Sequence, residues 1–301
     1  MTAIVDRDTA AVPPRGVLHR RRAEGRDARS GTARLAVGAG LAVVLVGGTL
    51  GTLLFGHITP VPANAHERLL TIGKHGHLLG TDEIGRDMLR WTIAGFGWTA
   101  SVSAVGACIS AAIAILLGVV AGATRGLIQA SCSRAIDVCL SLPYLVIAVA
   151  VMAAVGRGFW PLSITLGVVS WPIFARVVYA ETRGLMQREY VRAARLLGVS
   201  PLRIQLTHVL PGLRHTIMVM WAFVFADLLV AESGLSFLGI GAPLGSPSLG
   251  NMLASGRQYL VGAPRMVFIP AVVIVLAVTA ANLIGDGVAA RTRRQMRTVR
   301  R

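Results

Sequence analysis

Four histidines, His57, His66, His75 and His77, fall within one polar stretch, and a group of imidazoles that dense is the first candidate for metal chemistry. Only His75 and His77 are close, and the spacing matches no standard zinc pattern, so no metal site is expected. Cys108, Cys132 and Cys139 also lack ligand-like spacing, and Cys108 lies inside an apolar run. All three read as small, unpaired packing residues. No G-x-x-x-x-G-K-[ST] phosphate loop occurs, and Gly239-Ile240-Gly241 lacks the strand-to-helix context of a nucleotide fingerprint. With no recognisable Ser-His-Asp or Cys-His arrangement either, no catalytic residue is assigned, and the chain is not expected to hydrolyse ATP by itself.

Two acids remain. Asp227 sits in W-A-F-V-F-A-D-L-L-V, where an ionised side chain at the centre of a membrane helix costs on the order of 3 kcal/mol and normally faces a cavity or a partner. One reading has it line a passage and offer an acceptor to a cationic group such as a peptide's ammonium. The other has it hydrogen-bonded within the bundle or to a second chain, near Arg176. Glu232, at the end of the same apolar run, reads first as an acceptor anchoring the following loop and second as a residue of the passage.

The elements that must position these groups are membrane spans. Of 301 residues, 54% are hydrophobic and 15% charged, and the mean hydropathy is +0.64, which excludes an ordinary soluble domain. Apolar runs at Leu35 to Phe55, Ala100 to Ala123, Val138 to Val155, Phe159 to Ala180, Ile217 to Val230 and Val267 to Val288 make six spans. The third is short and contains Pro143, which removes a backbone hydrogen bond. An even number of spans puts both termini on one side. The net charge of +16 is then a matter of topology rather than of nucleic-acid binding. With the amino terminus inside, basic residues outnumber those on the other face about threefold, so both termini are expected in the cytoplasm. The expected organisation is a cytoplasmic Arg-rich arm (1–34), a first transmembrane helix (35–56), an outer loop (57–92), a membrane core (93–288) and a basic tail (289–301). Within the core lie an inner loop (181–215) and a long outer loop (232–266).

The inner loop carries the most organised pattern, E-Y-V-R-A-A-R-L-L-G-V-S-P-L-R-I-Q-L-T-H-V-L-P from Glu189 to Pro211. Tyr190, Ala193, Ala194 and Leu197 fall at i, i+3, i+4 and i+7, with Arg188, Arg192 and Arg195 on another face, so one short amphipathic helix is expected. Gly198 stands where a chain leaves a helix through a left-handed turn. Ser200 and Pro201 supply an N-cap and a first-turn residue for a second helix, which Pro211 is expected to stop. The result is a helix-Gly-helix elbow, small at Ala193 and Ala194, whose backbone a partner can approach closely.

These residues resemble the cytoplasmic loop of the membrane-spanning permease subunits of ATP-binding-cassette importers. That loop has paired alanines, a glycine four residues after the second and a Leu-Pro ending, here Ala193, Ala194, Gly198, Leu210 and Pro211. Its characteristic acid falls on Arg192, so the contact made there is expected to differ. Three further runs resemble the dipeptide, oligopeptide and nickel branch of these permeases. They are G-T-D-E-I-G-R-D-M-L at Gly80 to Leu89, A-E-S-G-L-S-F-L-G-I-G at Ala231 to Gly241, and N-L-I-G-D-G at Asn282 to Gly287. The resemblance covers roughly residues 75 to 288; the arm is outside it, and the tail lacks the usual Leu-Asp-Pro ending.

The resemblance implies an all-α integral membrane protein of the plasma membrane, with six transmembrane helices in the type I importer permease architecture and a cytoplasmic coupling-helix loop. ATPase coupling would fall to Glu189, Tyr190, Arg192, Ala193, Ala194, Gly198, Leu210 and Pro211, and the translocation path to Asp227 and Glu232. Implied partners are a second homologous permease, two nucleotide-binding domains carrying ATP and Mg, an extracellular or periplasmic solute-binding protein and the lipid bilayer; no cofactor is implied for this chain itself. Peptides are the expected cargo, with nickel or another small solute as the alternative on the same architecture. A stand-alone channel or secondary transporter fits less well, because neither an internal hydropathy repeat nor paired membrane acids and bases are visible.

Overall fold

The structure, a computed structural model, describes residues 36–40 and 62–298, and the regular elements among them are helices. Four are long and apolar enough to cross a membrane: Met88–Ala123 (α1), Phe159–Met186 (α4), Pro201–Phe237 and Arg265–Ala290 within a longer helix, Arg265–Thr298 (α9). A bent pair, Leu127–Leu140 (α2) and Tyr144–Val155 (α3), raises the number to five if counted as one span. The expected first span lies outside the described residues except at 36–40, which are helical. There Gly38 meets α9 so closely that a Cβ would come within 2.9 Å of the Leu283 Cβ.

Several boundaries differ from expectation, each for a local reason. Helix α1 starts at Met88, inside the stretch expected as loop, because the Asp87 carboxylate accepts the Arg90 amide at 2.9 Å and caps it. The expected third span is broken at Pro143: α2 stops at Leu140, and α2 and α3 diverge by 81°. The ring of proline disfavours helical backbone in the residue before it, here Leu142, so the chain turns instead of continuing. Helix α9 carries the expected tail onward to Thr298.

Packing runs through small residues. The longest contact is between α1 and α4, where Gly118 and Gly122 of α1 face Val178 and Thr182, and Gly167 of α4 faces Ile109. A Cβ at Gly122 would lie 2.6 Å from that of Thr182. In lipid, helices gain little from hydrophobicity, so close backbone approach and dispersion must hold this pair. Helix α7 (Leu210–Phe237) packs on α1, α4 and α9. A short helix, α8 (Leu249–Gly256), lies in the loop between α7 and α9 and buries Leu249 and Met252 against Met88, Trp91 and Phe96 of α1.

Candidate functional site

The elbow forms at one end of the bundle. Helix α5 (Glu189–Leu196) is only eight residues long, too short to persist alone, so its end must be fixed by capping and packing. Gly198 does the first, with φ of 77°; its amide donates to the Arg195 carbonyl at 3.0 Å and that of Val199 to the Ala194 carbonyl at 3.1 Å. This pair of bonds is a Schellman closure, and its central residue needs a left-handed backbone. Val191, fully buried, does the second.

The second arm departs from the expected one. Pro201 occupies the first turn of α6 (Pro201–Ile204), but the Ser200 hydroxyl makes no capping bond. Pro211 does not stop the helix. A π-turn at Gln205–Val209 joins α6 to α7, with the Leu210 amide reaching back to the Gln205 carbonyl, so the chain runs as one helix to Phe237. The widened turn accommodates a residue that has no amide hydrogen and whose ring needs room on the preceding turn.

The two arms bury Val191, Ile204 and Val209 inward and leave the opposite side uncovered. Leu196 is 90% exposed, Leu197 83% and Leu202 68%. Tyr190 belongs to this outward side and stacks on His208 of the π-turn, tying the arms together. The stripe of Tyr190, Ala193, Ala194 and Leu197 lies largely outward: Tyr190, Ala193 and Leu197 are exposed, and Ala194 is half-buried against the core. Glu189, Arg192, Leu210 and Pro211 are exposed as well, and Arg192 makes no ion pair among the described residues.

At the opposite end, residues 62–87 fold over α1 as a set of tight turns. The Asp82 carboxylate accepts the amides of Ile84 and Arg86 and the Arg86 Nε at 2.6 Å, and the Arg86 guanidinium lies 3.8 Å over Trp91. A side chain at Gly80 would collide with the Leu70 carbonyl, and one at Gly85 with that of Asn64; both glycines have positive φ. This accounts for the G-T-D-E-I-G-R-D run: it is a polar knot closed by one buried carboxylate. From α9, Arg265 donates to the Leu69 carbonyl at 2.9 Å.

His75 and His77 are drawn into the same segment by carboxylates. His77 Nδ1 lies 2.6 Å from Asp87 Oδ2, and its Nε2 3.5 Å from Glu67. Among the described residues no three such side chains are placed to hold a metal; His57 lies outside the described residues. The bond to Asp87 lifts His77 above its ordinary value of 6.5, with Glu67 adding to it against desolvation. Desolvation pushes the Asp87 carboxyl up, but the Arg90 amide and His77 outweigh it and leave it below its ordinary value. The His77 contribution to stability is thus complete below 6.5 and lost as pH rises through the raised value; that of Asp87 is lost as pH falls through the lowered one. Thermal unfolding of the purified protein should show a fall in stability on the alkaline side that His77→Gln removes.

Glu232 is fully enclosed. Its Oε1 accepts the hydroxyls of Ser236 at 2.8 Å and Ser248 at 3.0 Å, while Ser236 Oγ accepts the Ala242 amide. The Leu249 amide donates to Thr99 Oγ1 of α1 beside it. The carboxyl therefore pins the loop after α7 to the bundle, and Gly250 allows the closeness, since a side chain there would strike the Ser233 carbonyl.

Asp227, by contrast, is exposed on α7 and accepts the Tyr144 hydroxyl of α3 at 2.7 Å on Oδ2. Arg176 is not its partner; that guanidinium pairs with Asp137 of α2. Tyr144 carried no signal in the sequence beyond following the Pro143 break.

A multi-pass bundle with a glycine-latched elbow at one end and buried polar knots at the other defines a membrane transport subunit, and the comparisons agree. Residues 114–298 match the family of binding-protein-dependent transport system inner membrane components, and the chain belongs to that family. It is 36% identical over 215 residues, 71% of each chain, to a di/tripeptide transport system permease protein of Pseudomonas aeruginosa. To a putative peptide transport system permease protein of Brucella suis it is 37% identical over 213 residues, 70% of this chain and 71% of the relative. To a glutathione transport system permease protein of Pectobacterium atrosepticum it is 32% identical over 222 residues, 74% of both.

Proposed function

We propose that the chain is one of two membrane subunits of an ATP-driven importer of di- and oligopeptides, moved by nucleotide-binding subunits through its elbow. The names of its relatives support peptides as the cargo. The distribution of basic residues supports placing both termini and the elbow in the cytoplasm, and residues 62–87 and 238–264 on the outer face, where a solute-binding protein delivers. ATP and Mg are held by the partner subunits; their closure tilts the elbow and shifts the bundle between inward- and outward-open states.

One observation carries this reading: the elbow turns its large apolar side chains, Leu196, Leu197 and Leu202, away from its own bundle. A contiguous uncovered patch of that kind marks a protein contact. Ala193, small and exposed beside it, lets a cleft close on the backbone. In a background free of Cys108, Cys132 and Cys139, a thiol introduced by Leu196→Cys should react readily with a maleimide in the isolated chain. In the assembled complex its labelling should fall about tenfold, as for a side chain moved into an interface core. Equal labelling in both states would remove the elbow from the contact.

A further inference from the structure

The uncovered face of α7 is a regular stripe. Phe223, Asp227, Val230, Gly234 and Phe237 are all exposed and recur at intervals of four and three residues, the spacing of one helix face. Four of the five are apolar or small; the fifth is a carboxylate. Asp227 lies ten residues, about 15 Å of helical rise, from the end of α7 remote from the elbow, and Tyr144 eleven residues, about 16 Å, from the corresponding end of α3. Both groups thus meet about halfway through roughly 30 Å of hydrocarbon. A carboxylate uncovered at that depth does not face lipid.

The pairing around it is incomplete in a specific way. Tyr144 supplies one neutral donor to Oδ2, fixing the carboxylate's orientation. Among the described residues Oδ1 has no partner and no cation lies within ion-pair distance; Arg176 is engaged by Asp137. Tyr144 itself opens α3 directly after the break at Pro143, so the donor sits at the 81° bend between α2 and α3. An oriented carboxylate with one free oxygen, on an otherwise apolar helix face, is suited to a charge-assisted bond with a compact cation.

We infer that Asp227, oriented by Tyr144, binds the ammonium group of the cargo peptide at mid-membrane depth. The inference rests on the peptide-import reading above and adds to it a residue that recognises the amino terminus. The apolar residues above and below Asp227 along this face leave the side chains of the peptide unread, so one site serves many sequences.

The experiment uses the complete complex in vesicles, with the binding protein saturated by a labelled dipeptide carrying either a free or an acetylated amino terminus. The wild type should favour the free amine. Asp227→Asn, which keeps an acceptor for Tyr144 but no charge, should lower uptake of the free amine roughly tenfold and leave the acetylated peptide unchanged, so that the preference collapses. Asp227→Glu should restore most of the preference, and Tyr144→Phe should weaken it about threefold. An unchanged preference in Asp227→Asn would overturn the inference. So would loss of the second permease from the purified variant, which would make Asp227 a subunit contact. If the wild type moves neither peptide while hydrolysing ATP, the import reading itself fails and takes the inference with it.

Discussion

Replacing Gly198 with proline is expected to leave the complex able to hydrolyse ATP while peptide uptake drops at least tenfold. Proline fixes φ near −65° where this position has +77°, and it removes the amide that reaches the Arg195 carbonyl. Both bonds of the closure depend on that backbone geometry, and an eight-residue helix has no reserve of its own to hold its direction. Val191 still anchors α5, so the elbow stays attached but points its exposed face wrongly. Gly198→Ala separates conformation from sterics. Nothing lies within 4 Å of a Cβ there, so its effect is the left-handed strain alone, about 1 to 2 kcal/mol, and uptake should fall only partly. ATP hydrolysis and uptake measured on the same preparations decide the matter; uptake retained in Gly198→Pro would show that the elbow's direction is irrelevant.

Glu232→Ala is expected to be the most damaging single truncation. It leaves the hydroxyls of Ser236 and Ser248 enclosed without their acceptor and opens a void beneath the loop that carries α8. Unsatisfied buried groups cost about 1 to 3 kcal/mol each, so the loss is about 3 kcal/mol or more. Glu232→Gln keeps an acceptor oxygen and should be far milder. The difference is read as the temperature at which the detergent-purified complex loses its monodisperse elution. Equal stability of the alanine and glutamine variants would mean that the serines, not the carboxylate, hold the loop.

What was legible in the sequence was local. Gly198 announced itself because a left-handed exit can be recognised from a helical period followed by glycine, and Asp227 because a charge in an apolar run is costly wherever it points. Four of the expected membrane spans were legible as long apolar helices, since apolar length is a property of the segment alone. Pro211 misled because the π-turn before it is a backbone choice that no residue type specifies. The stripe through Tyr190, Ala193 and Leu197 was recognisable as a face by its period, and the small alanines marked it as one a partner can approach; periodicity alone does not say whether a face meets the chain's own core or another chain. Glu232 could be placed at a loop but not given its partners, because Ser248 is sixteen residues away and is delivered by the fold of that loop. Tyr144 meets Asp227 across eighty-three residues, a separation over which a single sequence carries no information. The Asp82–Arg86–Trp91 knot was visible only as a run of residue types, without the buried carboxylate that organises it.

ATP-dependent accumulation of a labelled dipeptide in vesicles holding the complete complex tests the account most directly. The account predicts uptake that requires ATP, the binding protein and both permeases together, and that is lost in Gly198→Pro without loss of assembly. Vesicles that move no peptide, yet turn over ATP when a nickel chelate and its binding protein are supplied, would contradict it.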